Sequence, residues 1–180
     1  MSRWENPTLV GELVTLRPYR ADDAEAAWEM VRDAETSDLT ATTASFTFEQ
    51  IASWCESRND QDERLDLVIV DNATGAFAGE VVLNEYDPVG NRVNFRISLR
   101  GPAWFGRGLG TEATTLLVCY AFSHLGLATI DLAVLARNTR AIRAYEKAGF
   151  QRVGAQLEDG ENWVVMAIDR PTEGDSVTID

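Results

Sequence analysis

Between residues 65 and 124 the apolar pattern changes its period once, and glycines mark the change. Leu65–Val70, Ala78–Tyr86 and Arg92–Leu99 each have the composition of a strand. Asp71–Gly75 and Asp87–Gly90 supply turn residues between them, so the three runs form an antiparallel meander. Phe105-Gly106-Arg107-Gly108-Leu109-Gly110 then intervenes. Beyond it, Ala113, Leu116, Leu117 and Tyr120 recur at helical spacing, giving a helix over Thr111–His124. A meander that passes through glycines into a helix implies a mixed α/β chain with helices packed against the faces of a sheet.

The remaining segments extend this pattern. Glu12–Arg17 reads as a first strand, stopped by Pro18. Asp22-x-x-Glu25 and Thr47-x-x-Gln50 have capping-box spacing and open two helices, the first carrying Ala24, Ala27, Trp28 and Val31, the second Ile51, Trp54 and Cys55. The Thr-rich stretch 36–46 between them reads as a linker. Thr129–Ala136 is strand-like, Asn138–Ala148 is a helix closed by Gly149, and Phe150–Leu157 with Asn162–Ile168 forms a last hairpin. About seven strands and about four helices are expected. The length of 180 residues fits one domain, placed at 11–170, with an N-terminal extension over 1–10 and a mobile polar tail over 171–180.

Charge and composition narrow the function. The chain has 29 acidic and 16 basic residues, a net charge of −13, which argues against a nucleic-acid partner. The same charge steers cationic substrates inward or simply keeps the protein in solution. No run of 18 apolar residues occurs, so no membrane span is expected. Cys55 and Cys119 have no metal-ligand spacing, and two cysteines make no disulfide scaffold, so a reducing cytoplasm is the expected location. His124 is the one histidine, which leaves little material for a His triad or a multi-His metal site, and no metal is expected. His124 is read as structural, at a helix end, and Cys119 as part of that helix's apolar face.

Two segments carry the chemistry. Glycines 106, 108 and 110 stand at a strand-to-helix junction, where open backbone angles and free amides at a helix N-terminus make an anion cradle. Arg107 adds charge and Thr111 a hydroxyl, so the loop suits a phosphate or pyrophosphate; a turn that merely joins two elements is the plain alternative. The string is no Walker A loop, and a dinucleotide fingerprint starting at Gly106 and Gly108 puts Thr111 where its third glycine belongs. The second segment runs from Ala136 to Phe150. Asn138 is a plausible N-cap and Tyr145 lies two helical turns on, so both can face one cleft, although capping and packing alone would also explain them.

In this order and spacing, the two segments resemble the GNAT superfamily of N-acetyltransferases. Gly108-Leu109-Gly110 matches the end of its [Gln/Arg]-x-x-Gly-x-[Gly/Ala] signature, and Asn138 to Phe150 matches its Asn-x-x-[Ser/Ala]-x-x-x-Tyr-Glu-Lys-x-Gly-Phe block. Phe105 departs from the Gln/Arg position; with the Thr-Glu-Ala that follows the loop, it resembles the branch that acetylates ribosomal-protein N-termini. The resemblance implies a mostly antiparallel sheet splayed between its fourth and fifth strands, with acetyl-CoA in the gap. It assigns coenzyme contacts to Ile97, Ser98 and Leu99 on the strand, to Phe105, Gly106, Arg107, Gly108, Leu109, Gly110 and Thr111 at the loop, and to Asn138, Ala141 and Tyr145 on the helix. It makes Tyr145 the proton donor to the leaving thiolate. The strand position where relatives often carry a glutamate base holds Asn94, so Glu80 and Glu85 are the candidate bases. They are an odd number of residues apart and should point to opposite faces. The implied acceptor is a primary amine, either a protein N-terminus or a small amine such as a polyamine or aminoglycoside. A non-catalytic acyl-CoA-binding module is a separate alternative. The resemblance is compatible with a homodimer.

Overall fold

The computed structural model describes residues 4–172. Eight strands form one sheet: β1 (Leu9–Val10), β2 (Val14–Pro18), β3 (Leu65–Asp71), β4 (Phe77–Asp87), β5 (Arg92–Leu99), β6 (Thr129–Leu135), β7 (Gln151–Glu158) and β8 (Glu161–Asp169). Five α-helices accompany them: α1 (Ala24–Arg32), α2 (Ala34–Leu39), α3 (Phe48–Ser57), α4 (Leu109–Ser123) and α5 (Thr139–Lys147). The strand order is β1-β2-β3-β4-β5-β6-β8-β7. The β5–β6 pair is parallel and every other neighbouring pair is antiparallel. A parallel pair needs a crossover, and α4 supplies it.

The expected sheet of about seven strands and four helices is therefore met with two additions. β1 has only two residues, too short to show alternation. Helix α2 lies partly in the stretch expected to be a linker; its six residues are too few for a periodic signal, and its N-cap is Asp33, whose Oδ1 accepts from the Thr36 amide at 2.7 Å. The Thr47–Gln50 capping box forms as expected, through bonds of 2.8 and 3.2 Å. The expected Asp22–Glu25 box does not. Asp23 takes that place, because its carboxylate accepts from the Arg20 amide at 2.7 Å and from both Arg17 terminal nitrogens at 2.8 Å.

The central strands β3 and β4 are buried on both faces, whereas β7 is exposed along its whole length. On one face Leu16, Leu67, Val81, Leu83 and Phe95 pack against Leu117 of α4 and Ile142 of α5. On the other, Tyr19, Val68 and Phe77 pack against Met30 of α1 and Ile51 and Cys55 of α3. Within β3, Leu67 and Ile69 join the first group and Val68 the second, the two-residue alternation of a strand in section. Glu112, in the first turn of α4, accepts from the amides of Glu12, Leu13 and Val14 at 3.1, 2.7 and 2.7 Å, which fixes the helix start beside β2. Trp4 is buried and meets Tyr86 edge-on at 5.4 Å, and β1 follows it, so part of the 1–10 segment packs onto the sheet. Of the segment 171–180, residues 173–180 lie outside the described residues. Among the described residues, no helix is long and apolar enough to cross a membrane.

Candidate functional site

The parallel pairing of β5 with β6 runs only through Arg92↔Thr129, Val93↔Ile130 and Asn94↔Asp131. Beyond Asn94 the strands part. Phe95–Leu99 stay bonded to β4, and Leu132–Leu135 to β8, so each keeps one partner and faces a gap. A cavity of about 780 Å³ fills that gap. Main-chain groups on the open side of β5 need partners, and an extended ligand can supply them as an added strand does.

Ile97, Ser98 and Leu99 line one wall of this cavity. Phe105, Gly106, Gly108, Leu109, Gly110 and Thr111 line its end, where α4 begins. Gly106 and Gly108 take left-handed backbone angles (φ 68° and 80°), and Gly108 is the N-cap of α4. A Cβ at Gly108 would stand 3.3 Å from a Leu13 methyl, so both backbone and space favour glycine there. The first-turn amides of α4 have no intrahelical acceptors, and with the helix dipole they form an anion site.

Arg107 does not line the cavity. Its Nη2 donates to Asp71 at 2.8 Å, and its guanidinium lies 5.3 Å from the Trp104 ring centroid. Asp71 also accepts from the Ala73 amide and the Thr74 hydroxyl, both at 3.1 Å, and the Arg107 bond holds its carboxyl below the usual aspartate range. Arg107 thus braces the loop against the β3–β4 turn. A cation that sequence reasoning missed stands in the cavity instead: Arg140 of α5, whose guanidinium carbon is 3.9 Å from the Phe105 ring centroid. Arg143 and Lys147 line the cavity too. Their spacing of three and seven residues from Arg140 puts all three on one helix face, and that was the available signal.

Asn138, Ala141 and Tyr145 form the opposite wall. The Asn138 Oδ1 caps α5 by accepting from Ala141 N at 3.3 Å, and its Nδ2 donates to the Leu39 carbonyl at 3.4 Å, tying α5 to α2. Tyr145 is buried between Phe95 and Phe150, with ring centroids at 6.1 and 5.9 Å. Burial pushes its phenol above the usual tyrosine range, so it stays protonated at neutral pH.

A second cavity of about 420 Å³ lies toward α1 and α3 and adjoins the first along Thr36, Thr40, Arg96 and Ser98. Glu80 lines it and accepts from the Tyr19 hydroxyl at 2.6 Å. Burial raises the Glu80 carboxyl above its ordinary range and Asp66 adds to that, while the Tyr19 bond, Arg96 and Arg64 oppose it. Glu85 lines the larger cavity instead. It sits in a bulge where the β4–β5 register shifts between Asn84 and Asp87, with a left-handed φ of 54°. The cleft passes through the sheet, so each glutamate reaches a different cavity. Asn94 donates to Asn84 Oδ1 at 2.7 Å at the point where the strands part. His124 pairs with Ser123 Oγ at 2.7 Å and stacks on Tyr120, on the outside of α4. Cys119, expected in the apolar face of α4, is exposed; the buried face runs through Ala113, Leu117, Val118 and Ala121, and position 119 turns away from it.

Comparison with known proteins agrees with this geometry. The family model described as "Acetyltransferase (GNAT) domain" matches residues 14–151. A spermidine N(1)-acetyltransferase of Escherichia coli (strain K12) is 30% identical over 147 residues, covering 81% of this chain and 77% of the relative. An alpha/beta-tubulin-N-acetyltransferase 9 of Mus musculus is 26% identical over 183 residues, covering 93% and 73%. A spermidine N-acetyltransferase of Vibrio cholerae, solved in complex with CoA and spermine, shares the fold with a TM-score of 0.79 at 20% identity, covering 88% of this chain and 96% of that one. The chain belongs to the GNAT acetyltransferase family, whose members use acetyl-CoA, and it is an N-acetyltransferase.

Proposed function

We propose that the chain transfers the acetyl group of acetyl-CoA directly to the α-amine of a peptide or protein N-terminus. One observation carries this reading: the strand split joins two cavities, with Tyr145 on the wall of one and Glu80 on the wall of the other. In the larger cavity the α4 amides and Arg140 hold the pyrophosphate, and the open side of β5 near Ile97, Ser98 and Leu99 pairs with the pantetheine arm. The acceptor enters from the smaller cavity. Glu80, directly or through a water, takes a proton from its ammonium. The freed nitrogen forms a bond to the thioester carbonyl carbon, whose oxygen is stabilised by main-chain donors of β5. The C–S bond then breaks, Tyr145 gives its proton to the departing thiolate, and the nitrogen, now in the amide, sheds its second proton to solvent. Solvent returns the proton to Tyr145 and removes the one on Glu80.

The acceptor cavity supports a peptide amine. Arg96 lines it beside one carboxylate, Glu80, which suits a single amine better than a chain of ammonium groups. The mouse relative is named for a protein acceptor. The E. coli relative favours a second reading, a polyamine acceptor. Incubation with acetyl-CoA and either a short peptide or spermine, followed by thiol release and product mass, separates the two. The proposal expects acetylated peptide; turnover confined to spermine overturns it.

A further inference from the structure

We infer that Arg96 selects acceptors carrying a carboxylate next to the reacting amine, as a peptide with Asp or Glu in second position does. The inference rests on the peptide-amine reading above. Arg96 lies on β5 two residues past the last β5–β6 pair, Asn94↔Asp131, and opposite Val82. It lines both cavities, so it stands where they meet.

An arginine in the middle of a sheet is normally paired with a carboxylate. Arg96 is exposed to the cleft, and among the described residues it has no ion-pair partner. The acids beside it on this sheet face are engaged elsewhere. Asp66 is fully buried and held by the Arg64 fork at 2.8 and 2.9 Å, with Arg58 at 4.0 Å. Glu80, opposite Ser98 and so diagonal to Arg96 on the same face, accepts from Tyr19. In a chain of net charge −13, Arg96 is thus the cation of this lining that holds no carboxylate, since Arg64 is paired with Asp66. Such a site repels a second ammonium and attracts an anion. Diagonal residues on one sheet face are about 7–8 Å apart, slightly less at Cβ. An N-terminal amine and the side-chain carboxylate of the next residue span roughly that distance, given about 3.5 Å per extended residue. An amine at Glu80 and a carboxylate at Arg96 thus fit one acceptor.

The test is steady-state acetylation of peptides that differ only in having Asp, Asn or Lys in second position. Wild type, Arg96→Gln and Arg96→Glu are compared, with folding checked by circular dichroism. The expected result is a kcat/KM about tenfold higher for the Asp peptide than for the Asn peptide in wild type, the scale of a charge-assisted hydrogen bond. That ratio falls as salt rises. It vanishes in Arg96→Gln, and Arg96→Glu prefers the Lys peptide. If Arg96 acts only by keeping Glu80 ionised, the substitutions shift the acid limb of the pH profile equally for all three peptides and leave the Asp-to-Asn ratio unchanged, which overturns the inference. Equal rates on Asp and Asn peptides in wild type also overturn it, and leave transfer to peptides standing. Turnover of spermine with none of any peptide overturns the peptide reading and this inference together.

Discussion

The larger cavity, proposed for the donor, and the smaller one, proposed for the acceptor, meet at β5 but are built from different material. The larger cavity takes its end wall from residues 105–111, with their main-chain groups and glycine backbone angles, and its helical wall from residues 138–147, facing β5 and β6 across the gap. The acceptor cavity is assembled from side chains of α1, α2, α3, β4 and β5 and the segments between them. A backbone cradle suits a ligand that never changes, because its geometry survives most side-chain substitutions. A cavity made of scattered side chains can be altered one residue at a time, and relatives named for tubulin and for spermidine fit that division.

The largest expected departure comes from the acceptor side. Glu80→Gln lowers kcat/KM by about 10²–10⁴-fold and removes the acid limb of its pH profile. That limb lies above the ordinary glutamate range, because burial raises the Glu80 pKa and the base works only when ionised. The stability effect has the opposite sign. A raised native pKa means that the folded chain holds this proton more tightly than the unfolded chain. Stability from this group is therefore present at low pH and is lost as pH rises through the native value. At neutral pH Glu80→Gln, which can still accept from Tyr19, raises Tm while lowering activity; a lower Tm with an unchanged pH profile breaks the assignment. Glu85→Gln keeps the acid limb, since Glu85 lines the donor cavity.

Tyr145→Phe comes next. It lowers kcat by about 10²-fold, the low end for proton transfer, because a thiolate with a pKa of about 8.5 leaves tolerably without help. Affinity for acetyl-CoA changes little. Arg140→Ala tests the donor side alone: acetyl-CoA binding weakens about tenfold by calorimetry, and the acceptor KM at saturating donor stays put. The smallest effect belongs to the exposed rim, where Arg137 donates to Asp38 at 2.6 Å and approaches Glu161 at 3.4 Å. Asp38→Asn leaves the denaturant midpoint almost unchanged, as loss of an exposed ion pair does.

The same division explains what was legible in the sequence. The donor cavity was readable because its determinants are local: a helix start, glycines at fixed offsets, and a cap and a tyrosine two turns apart. Even so, Arg107 lies outside the cavity lining and Arg140, which drew no attention, lies within it, since only the fold brings Asp71 to Arg107 and Phe105 beneath Arg140. The meander of β3, β4 and β5 and the helix after it followed from the sequence, the strand order and the parallel β5–β6 pair came only with the fold, and β1 and α2 were too short to carry a period. On the acceptor side Glu80 was named, but its Tyr19 bond joins residues 61 positions apart, and Arg96 drew no attention within an ordinary strand. Parity along β4 separated Glu80 from Glu85, yet the bulge at Glu85 had no sequence signal strong enough to place it in the donor cavity.

The central claim is that the glycine cradle at the start of α4 holds the acyl donor. Calorimetric titration of acetyl-CoA into wild type and Gly108→Glu tests it directly. The φ of 80° and the Leu13 methyl leave little room for a side chain, and a carboxylate there repels a pyrophosphate. The account predicts micromolar-range binding, about −8 kcal/mol, in wild type and none in the folded variant. Equal binding by both, or none by folded wild type, contradicts it.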